Sequence, residues 1–280
     1  MSSPLLLEAE RIKLSRVLHV APDSLTFLDG LGVDGHRQLR ERASAALFDE
    51  HKPIFERIAN SGRILPAALI AFLSQKVFGT WISARTAGLM AIDKSVEVAK
   101  KLPVAFMADM CLQLDPRSAR ALIRRLPVQI IVDVSRVTMQ RKEYITMARF
   151  VDSLTDEAIR AIAQANRDDD AIIMIGFYVE SAHALSASME LLPPDRITSI
   201  IRRTIEGPPQ IQHAGLAMLS KVRDEMKGVL GNAAAALGDA PLRTLFARLA
   251  EQADKEVLRA ALANMSAEAR SRVEKMFEAD

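Results

Sequence analysis

Three consecutive acidic residues, Asp168, Asp169 and Asp170, are potential ligands for a divalent cation. Carboxylate oxygens are the ligands that Mg²⁺ and Ca²⁺ prefer in proteins. A calcium-binding loop also needs ligands at fixed spacings over about 12 residues, and this stretch lacks them. A run of charges does not by itself build a coordination cage, so we expect a solvated turn between helices.

A second metal-like pattern is Glu180-x-x-His183, which we place on a helix with both side chains on one face. Di-iron bundles use this spacing, but they need a second copy and two further glutamates. The sequence contains no second copy. We therefore expect an ordinary polar edge with a partly buried His183, and no metal.

The glycines of Gly30-x-Gly32-x-x-Gly35 have the spacing of a dinucleotide-binding loop, and Asp49 and Glu50 lie about 20 residues further on. Such a loop must follow a parallel strand, so that the pyrophosphate meets the first turn of a helix. Residues 25–28 are the one candidate strand, and no second strand follows within reach. We expect a turn without a cofactor.

Nucleophilic catalysis has little support in the sequence. Cys111 lies among methionines and leucines with no activating base nearby, which is typical of a small core residue. We therefore assign no catalytic residue, and an enzyme with an unrecognised site stays an alternative.

Arginines recur ten or eleven residues after leucines that end apolar helices. In stacked helices such equivalent positions share one ridge, which would suit an acidic protein surface. The alternative is local, because cations near a helix C-terminus interact favourably with its dipole. The candidate partner-binding residues are Arg124, Arg125, Arg202, Arg203 and Arg248.

Soft apolar side chains offer a different kind of site. Methionine and aromatic residues can line a helical pocket for an apolar small molecule, although core packing also needs them. A cavity above roughly 300 Å³ would favour the pocket. The candidate lining residues are Phe72, Phe78, Trp81, Met90, Met107 and Met110.

The composition indicates a helical protein, gives no sign of nucleic-acid binding and, with a single cysteine, excludes an intramolecular disulfide. Of the 280 residues, 49% are hydrophobic and only 5% aromatic, which favours helix packing over a β-sandwich. The net charge of +2 gives no bulk attraction to nucleic acid. The N-terminus does not resemble a signal peptide, and the apolar run Ile64–Leu73 is too short to span a bilayer. We expect a cytoplasmic protein without membrane insertion.

A helix junction recurs at Leu114-Asp115-Pro116, Leu154-Thr155-Asp156 and Leu192-Pro193-Pro194, at spacings of 40 and 38 residues. Such a period is typical of stacked helical pairs. We predict an all-α fold, an α-solenoid of superhelical helical-pair repeats. Residues 1–101 would form an N-terminal helical region capping the array, and residues 102–280 the repeat domain, with one continuous domain as the alternative.

Two apolar segments, 129–134 and 172–179, have the composition of strands. Periodicity does not distinguish a buried strand from a buried helix in so short a run. We predict helix for both, because each lies where the repeat requires a buried helix.

The junction text from Met110 to Pro127 resembles the N-terminal domain of MgtE-type magnesium transporters and the helical modules of the flagellar rotor switch protein FliG. The resemblance covers about residues 102–206 and implies a superhelical fold. No metal ligands are carried over, because the chain lacks the strong acidity of the transporter domain. We therefore expect a non-enzymatic protein-binding scaffold or regulatory adaptor, and an apolar-ligand binding protein is the alternative.

Overall fold

The computed structural model describes residues 4–49, 51–252 and 255–278, which fold into helices joined by short turns. No strand occurs within these ranges. The chain divides into two compact units, one ending at Ala165 and one beginning at Asn166. The change expected after residue 101 falls inside the first unit.

In its described residues, the first unit contains eleven α-helices and four 3₁₀ or π-helical segments. The α-helices are α1 (Pro4–Leu18), α2 (Gly32–Asp49), α3 (Lys52–Ser61), α4 (Ala67–Leu73), α5 (Gly79–Ala87), α6 (Ile92–Ala99), α7 (Val104–Gln113), α8 (Pro116–Ile123), α9 (Val128–Gln140), α10 (Tyr144–Phe150) and α11 (Asp156–Ala165). The other segments are the 3₁₀ turns Pro22–Leu31, Gly62–Ile64 and Val151–Ser153 and the π-helical Ser74–Phe78.

The second unit is also helical throughout its described residues. It contains α12 (Asp169–Tyr178), α13 (Ala182–Glu190), α14 (Pro194–Glu206), α15 (Pro209–Lys221), α16 (Asp224–Leu237), α17 (Asp239–Gln252), α18 (Lys255–Asn264) and α19 (Ala267–Glu278).

Both segments of strand-like composition are helical. Residues 129–134 lie in α9, and residues 172–178 lie in α12, with Val179 as its C-cap. Prolines start several of the helices. Pro127 precedes α9, and Pro103, Pro193 and Pro208 precede α7, α14 and α15. Proline fits at such a position because its missing N–H would have no partner in the first turn.

Within each unit, several helices pack on the next but one along the chain, although α1 packs on its neighbour α2 and α12 packs most closely on α15. In the first unit α5 contacts α7, α7 contacts α9 and α9 contacts α11. In the second, α12 contacts α14, α14 contacts α16 and α16 contacts α18. The three sequence junctions fall between helices, as predicted. Three helices, α8, α9 and α10, lie between the first junction and the second, whereas a repeat of helical pairs would place two there.

One helical run, Ala67–Ala87, is long and apolar enough to cross a membrane, although about a third of its most apolar part is buried inside the protein. Gly79 interrupts this run. Its φ of 67° and ψ of −177° belong to a region that is open essentially to glycine alone. The run therefore consists of two helical parts that meet at Gly79. They have different neighbours, because α4 packs on α6 and α5 packs on α7.

Candidate apolar binding site

The first unit encloses a cavity of about 380 Å³. Helices α3 to α11 supply its wall, from Ile58 to Ile162. Two core clusters contribute residues to this wall. One centres on Ala84, Met110 and Ala119, and the other on Ile70 and Val98. The cavity is thus part of the unit's hydrophobic core.

The predicted lining residues divide into two groups. Phe78, Met90, Met107 and Met110 line the cavity, as the pocket hypothesis expected. Phe72 and Trp81 do not, and their exposed fractions are 55% and 45%. Both lie on the outer side of the same run of helix.

The cavity reaches the surface beside α3. Ser61, the last residue of that helix, is exposed, whereas the other lining residues are buried or half-buried. The turn Gly62–Ile64 follows it directly. The end of α3 is therefore the most exposed part of the cavity wall.

Most hydroxyl groups in the wall are already hydrogen-bonded to the backbone. Ser95 donates to the Ala87 carbonyl at 3.0 Å, Thr86 to the Ile82 carbonyl at 2.9 Å, and Ser135 to the Val132 carbonyl at 2.8 Å. Ser83 differs, because its buried Oγ has no hydrogen-bond partner in the described part of the chain. A buried hydroxyl without a partner is costly, so Ser83 is the natural polar anchor for a bound molecule.

Cys111 also lines the cavity. Burial raises the pKa of its thiol to about 12, and the nearby Arg149 only partly opposes that rise. The thiol is therefore neutral at physiological pH and is a poor nucleophile. This agrees with the sequence expectation of a core cysteine.

None of the lining residues, all of which the structure describes, is Asp, Glu, His, Lys or Arg. General acid–base catalysis needs a positioned titratable group, and the wall supplies only serine, threonine and the neutral thiol. The arrangement suits binding of an apolar molecule better than its chemical conversion.

The acidic run at residues 168–170 forms the start of α12 rather than the solvated turn that we expected. Asp168 accepts a hydrogen bond from the Ala171 N–H and so caps α12. Asp169 forms an ion pair with the buried Arg196 at 2.8 Å, and Asp170 accepts two hydrogen bonds from Arg203, at 2.7 and 2.6 Å. The run fastens α12 to α14, a role that the expectation of a solvated turn missed. No group of potential metal ligands is found among the described residues.

The Glu180-x-x-His183 motif and the glycine motif at residues 30–35 also have different structural surroundings from those considered in the sequence analysis. Glu180 lies in the link between α12 and α13 and not on a helix, and His183 is exposed where we expected partial burial. The first glycine of the motif, Gly30, lies within the 3₁₀ segment Pro22–Leu31, which occupies the place of the strand that a dinucleotide site requires. The acid Glu50 lies outside the described residues.

The candidate partner-binding arginines have different surroundings. Arg124, Arg125 and Arg202 are exposed, and Arg125 forms an ion pair with Asp93 at 3.2 Å. Arg203 is held by Asp170, which raises the pKa of its guanidinium. Arg248 donates to the carbonyl of Ile205 at 2.8 Å, near the end of α14. Arg203 and Arg248 thus serve intramolecular contacts.

A buried polar cluster in the N-terminal helices had no signal in the sequence patterns. Glu10 and Lys13 of α1 form an ion pair at 2.8 Å with both side chains buried, and Arg40 of α2 approaches Glu10 to 3.3 Å. The buried His36 contacts the Gly32 carbonyl through Nδ1 at 2.9 Å. The partners are 3 to 30 residues apart, so no local motif marks them. The Glu10–Arg40 pair joins α1 to α2.

Comparison of the chain with family models, with curated proteins and with solved structures finds no match.

Proposed function

We propose that this protein binds an apolar small molecule in the cavity of its first unit. The observation that carries the proposal is the cavity itself. Its volume of about 380 Å³ falls within the range of roughly 300–1,000 Å³ that is usual for ligand pockets. Its wall is apolar with a few hydroxyl groups, which is the usual composition of such sites.

The size and composition of the cavity support an occupant. Protein interiors are close-packed, and voids larger than a water molecule are few, so an apolar cavity of this size is unusual in a core. A bound apolar molecule would supply the dispersion contacts that the lining side chains otherwise lack.

Ser83 indicates the kind of ligand. The rest of the wall offers dispersion contacts but almost no free hydrogen-bonding group, so the favoured molecule is largely hydrocarbon with one polar group. A hydroxyl or carbonyl oxygen beside Ser83 would satisfy its buried Oγ. Serine can reach it by changing between staggered rotamers.

A protein-binding scaffold is the second candidate, and the packing of alternate helices favours it. Five ion pairs link an acid to an arginine 32 or 33 residues further along the chain, as expected of a superhelical repeat. On this proposal Arg124, Arg125 and Arg202 face an acidic partner in the cytoplasm. Loss of partner capture on reversing these exposed arginines to Glu would support it, and unchanged capture would end it.

The first test is native mass spectrometry of the purified full chain. We expect an adduct of small-molecule mass that is absent from a variant in which Ala99→Phe fills the cavity. Ala99 lines the cavity and is half-buried, so the larger ring enters existing space. An unliganded wild type that also fails to take up any apolar probe would remove the proposal.

A further inference from the structure

The segment from Arg57 to Ile92 exposes large apolar side chains. Soluble proteins rarely expose such residues in a group, and where they do the surface is commonly a binding site. Ile64 is 90% exposed and Val77 65%. The group comprises Ile64, Leu69, Phe72, Val77, Trp81 and Ile92.

The same segment contains no acidic residue. Between Glu56 and Asp93 the sequence has neither Asp nor Glu, although the chain carries 35 of them. Arg57, Arg63 and Lys76 lie within it, and all three are exposed. The exposed side chains of this segment therefore include large apolar and basic ones but no acidic ones, in a protein whose net charge is close to neutral.

We propose that this surface, formed by the six apolar residues together with Arg57, Arg63 and Lys76 and here termed the docking face, binds the surface of a bilayer that contains anionic lipids. Interfacial segments combine Trp, Phe and Leu with Lys and Arg in this way. The apolar side chains enter the boundary between headgroups and acyl chains, while the cations meet lipid phosphates. An acidic protein surface would match the cations but would leave the apolar side chains without a counterpart.

The helices that carry the docking face lie along the membrane and do not cross it. In α4, Ile70 and Ala71 are buried against the core, while Leu69 and Phe72 point away from it. Trp81 of α5 packs edge-on against the buried Phe55 at 5.3 Å between ring centroids, and its other side is exposed. Because one side of each helix belongs to the core, only the outer side is free for lipid.

The docking face adjoins the mouth of the cavity. Ser61 marks the opening, and Arg63 and Ile64 follow within the same turn. A docked protein would thus place the mouth at the membrane surface, where apolar molecules are concentrated. Docking itself does not depend on whether the cavity holds a ligand, so the two proposals fail independently.

The experiment uses the single tryptophan of the chain, Trp81, as an internal probe. The full-length protein is mixed with vesicles of phosphatidylcholine alone or of phosphatidylcholine with phosphatidylglycerol. We expect a blue shift of the tryptophan emission, and co-flotation of the protein, only with the phosphatidylglycerol vesicles. Added salt should reverse both, because the lipid charge is screened beyond roughly 10 Å at 0.1 M.

Two variants separate the apolar and the ionic contributions. Phe72→Ser with Val77→Ser, and Arg63→Glu with Lys76→Glu, should each weaken co-flotation at least about tenfold. The controls in the second unit are Val229→Ser, which changes an exposed apolar residue, and Arg167→Glu with Arg259→Glu, which reverses two exposed basic residues. Circular dichroism checks that all variants remain folded.

Three results would overturn the proposal. The first is no binding to either vesicle, and the second is equal binding to both. The third is a concentration-dependent dimer that Phe72→Ser abolishes in the absence of vesicle binding, which would assign the docking face to a second copy of the chain. Weakened binding in the face variants with unchanged binding in the controls supports it.

Discussion

Ser83 is the residue at which stability and ligand binding oppose each other. Its hydroxyl is buried without a partner, so the folded protein bears a desolvation cost that a bound polar group would remove. Sites built for binding often carry such a cost, and other hydroxyls of the wall do not. The difference gives a matched pair of serines for an experiment.

We predict that Ser83→Ala, without ligand, leaves the free energy of unfolding unchanged or raises it by about 1 kcal/mol. Ser95→Ala should lower it by about 1 kcal/mol, because that hydroxyl donates to the Ala87 carbonyl. Urea unfolding of ligand-free protein measures both. Equal destabilisation by the two substitutions would show that Ser83 is satisfied in the native state.

Cys111 gives a prediction for alkaline pH. An unfolded cysteine ionises near pH 8.5, whereas burial raises the pKa of Cys111 in the folded protein to about 12. The unfolded state therefore loses a proton that the folded state keeps. The stability associated with the neutral thiol is fully present below about pH 8.5 and declines as the pH rises toward 12.

We therefore expect the wild type to lose about 1–2 kcal/mol more than a Cys111→Ala variant between pH 8 and pH 10. Comparing the two proteins cancels the other groups that titrate in this range. Denaturant unfolding at several pH values provides the measurement. Parallel pH profiles would indicate that the thiol ionises normally in the folded protein.

Among the helices, α12 and α14 are joined by two ion pairs that differ in how deeply they are buried. Arg196 is buried, pairs with Asp169 and donates to the Asn166 carbonyl at 2.8 Å. Arg203 pairs with Asp170, but both side chains are more than a third exposed. Removing one partner of a buried pair leaves a charge uncompensated, whereas solvent screens an exposed pair.

Arg196→Ala should accordingly lower the free energy of unfolding by about 3–5 kcal/mol, and Arg203→Ala by less than about 1 kcal/mol. Arg202→Ala, at an exposed neighbouring position, serves as the control and should change it by no more than about 0.5 kcal/mol. Thermal unfolding ranks the three variants. Similar losses for Arg196→Ala and Arg203→Ala would contradict this account of α12 and α14.

The positions of the helices were easier to predict from the sequence than the contacts between them. Pro127 and Pro193 directly precede α9 and α14, so a local sequence signal marks the start of each helix. The pairing of Asp170 with Arg203 spans 33 residues and involves no local motif. The signal that was available, an arginine 32 or 33 residues after an acid, shows itself only once several examples are compared.

At the scale of the whole molecule, the sequence indicated an apolar pocket but did not indicate all of the residues that line it. The abundance of methionine suggested a pocket, and Phe78, Met90, Met107 and Met110 do line it. Exposure of Phe72 and Trp81 was not foreseen, because a helix that is apolar on all sides gives no indication of which side faces the core. The division at residue 165 likewise depends on packing between distant helices.

Both sides of the α4–α5 run carry apolar residues. Residues on its inner side line the cavity, while Leu69, Phe72 and Trp81 are exposed. Gly79 lets the backbone change direction between the two helices, which one straight span would not allow. On the docking proposal the exposed side would meet lipid, which would explain why the segment has the composition of a membrane span while its other side belongs to a folded unit.

The most direct test of the central claim is a fluorescence titration of the ligand-free full chain with N-phenyl-1-naphthylamine, a neutral apolar probe. We predict one site per chain, and Ala99→Phe should bind the probe at least about tenfold more weakly, a change of about 1.4 kcal/mol or more. Ala158→Phe, at a fully buried position outside the cavity wall, controls for overpacking and should lower stability without blocking the site. No saturable binding, or equal binding by wild type and Ala99→Phe, would contradict the account.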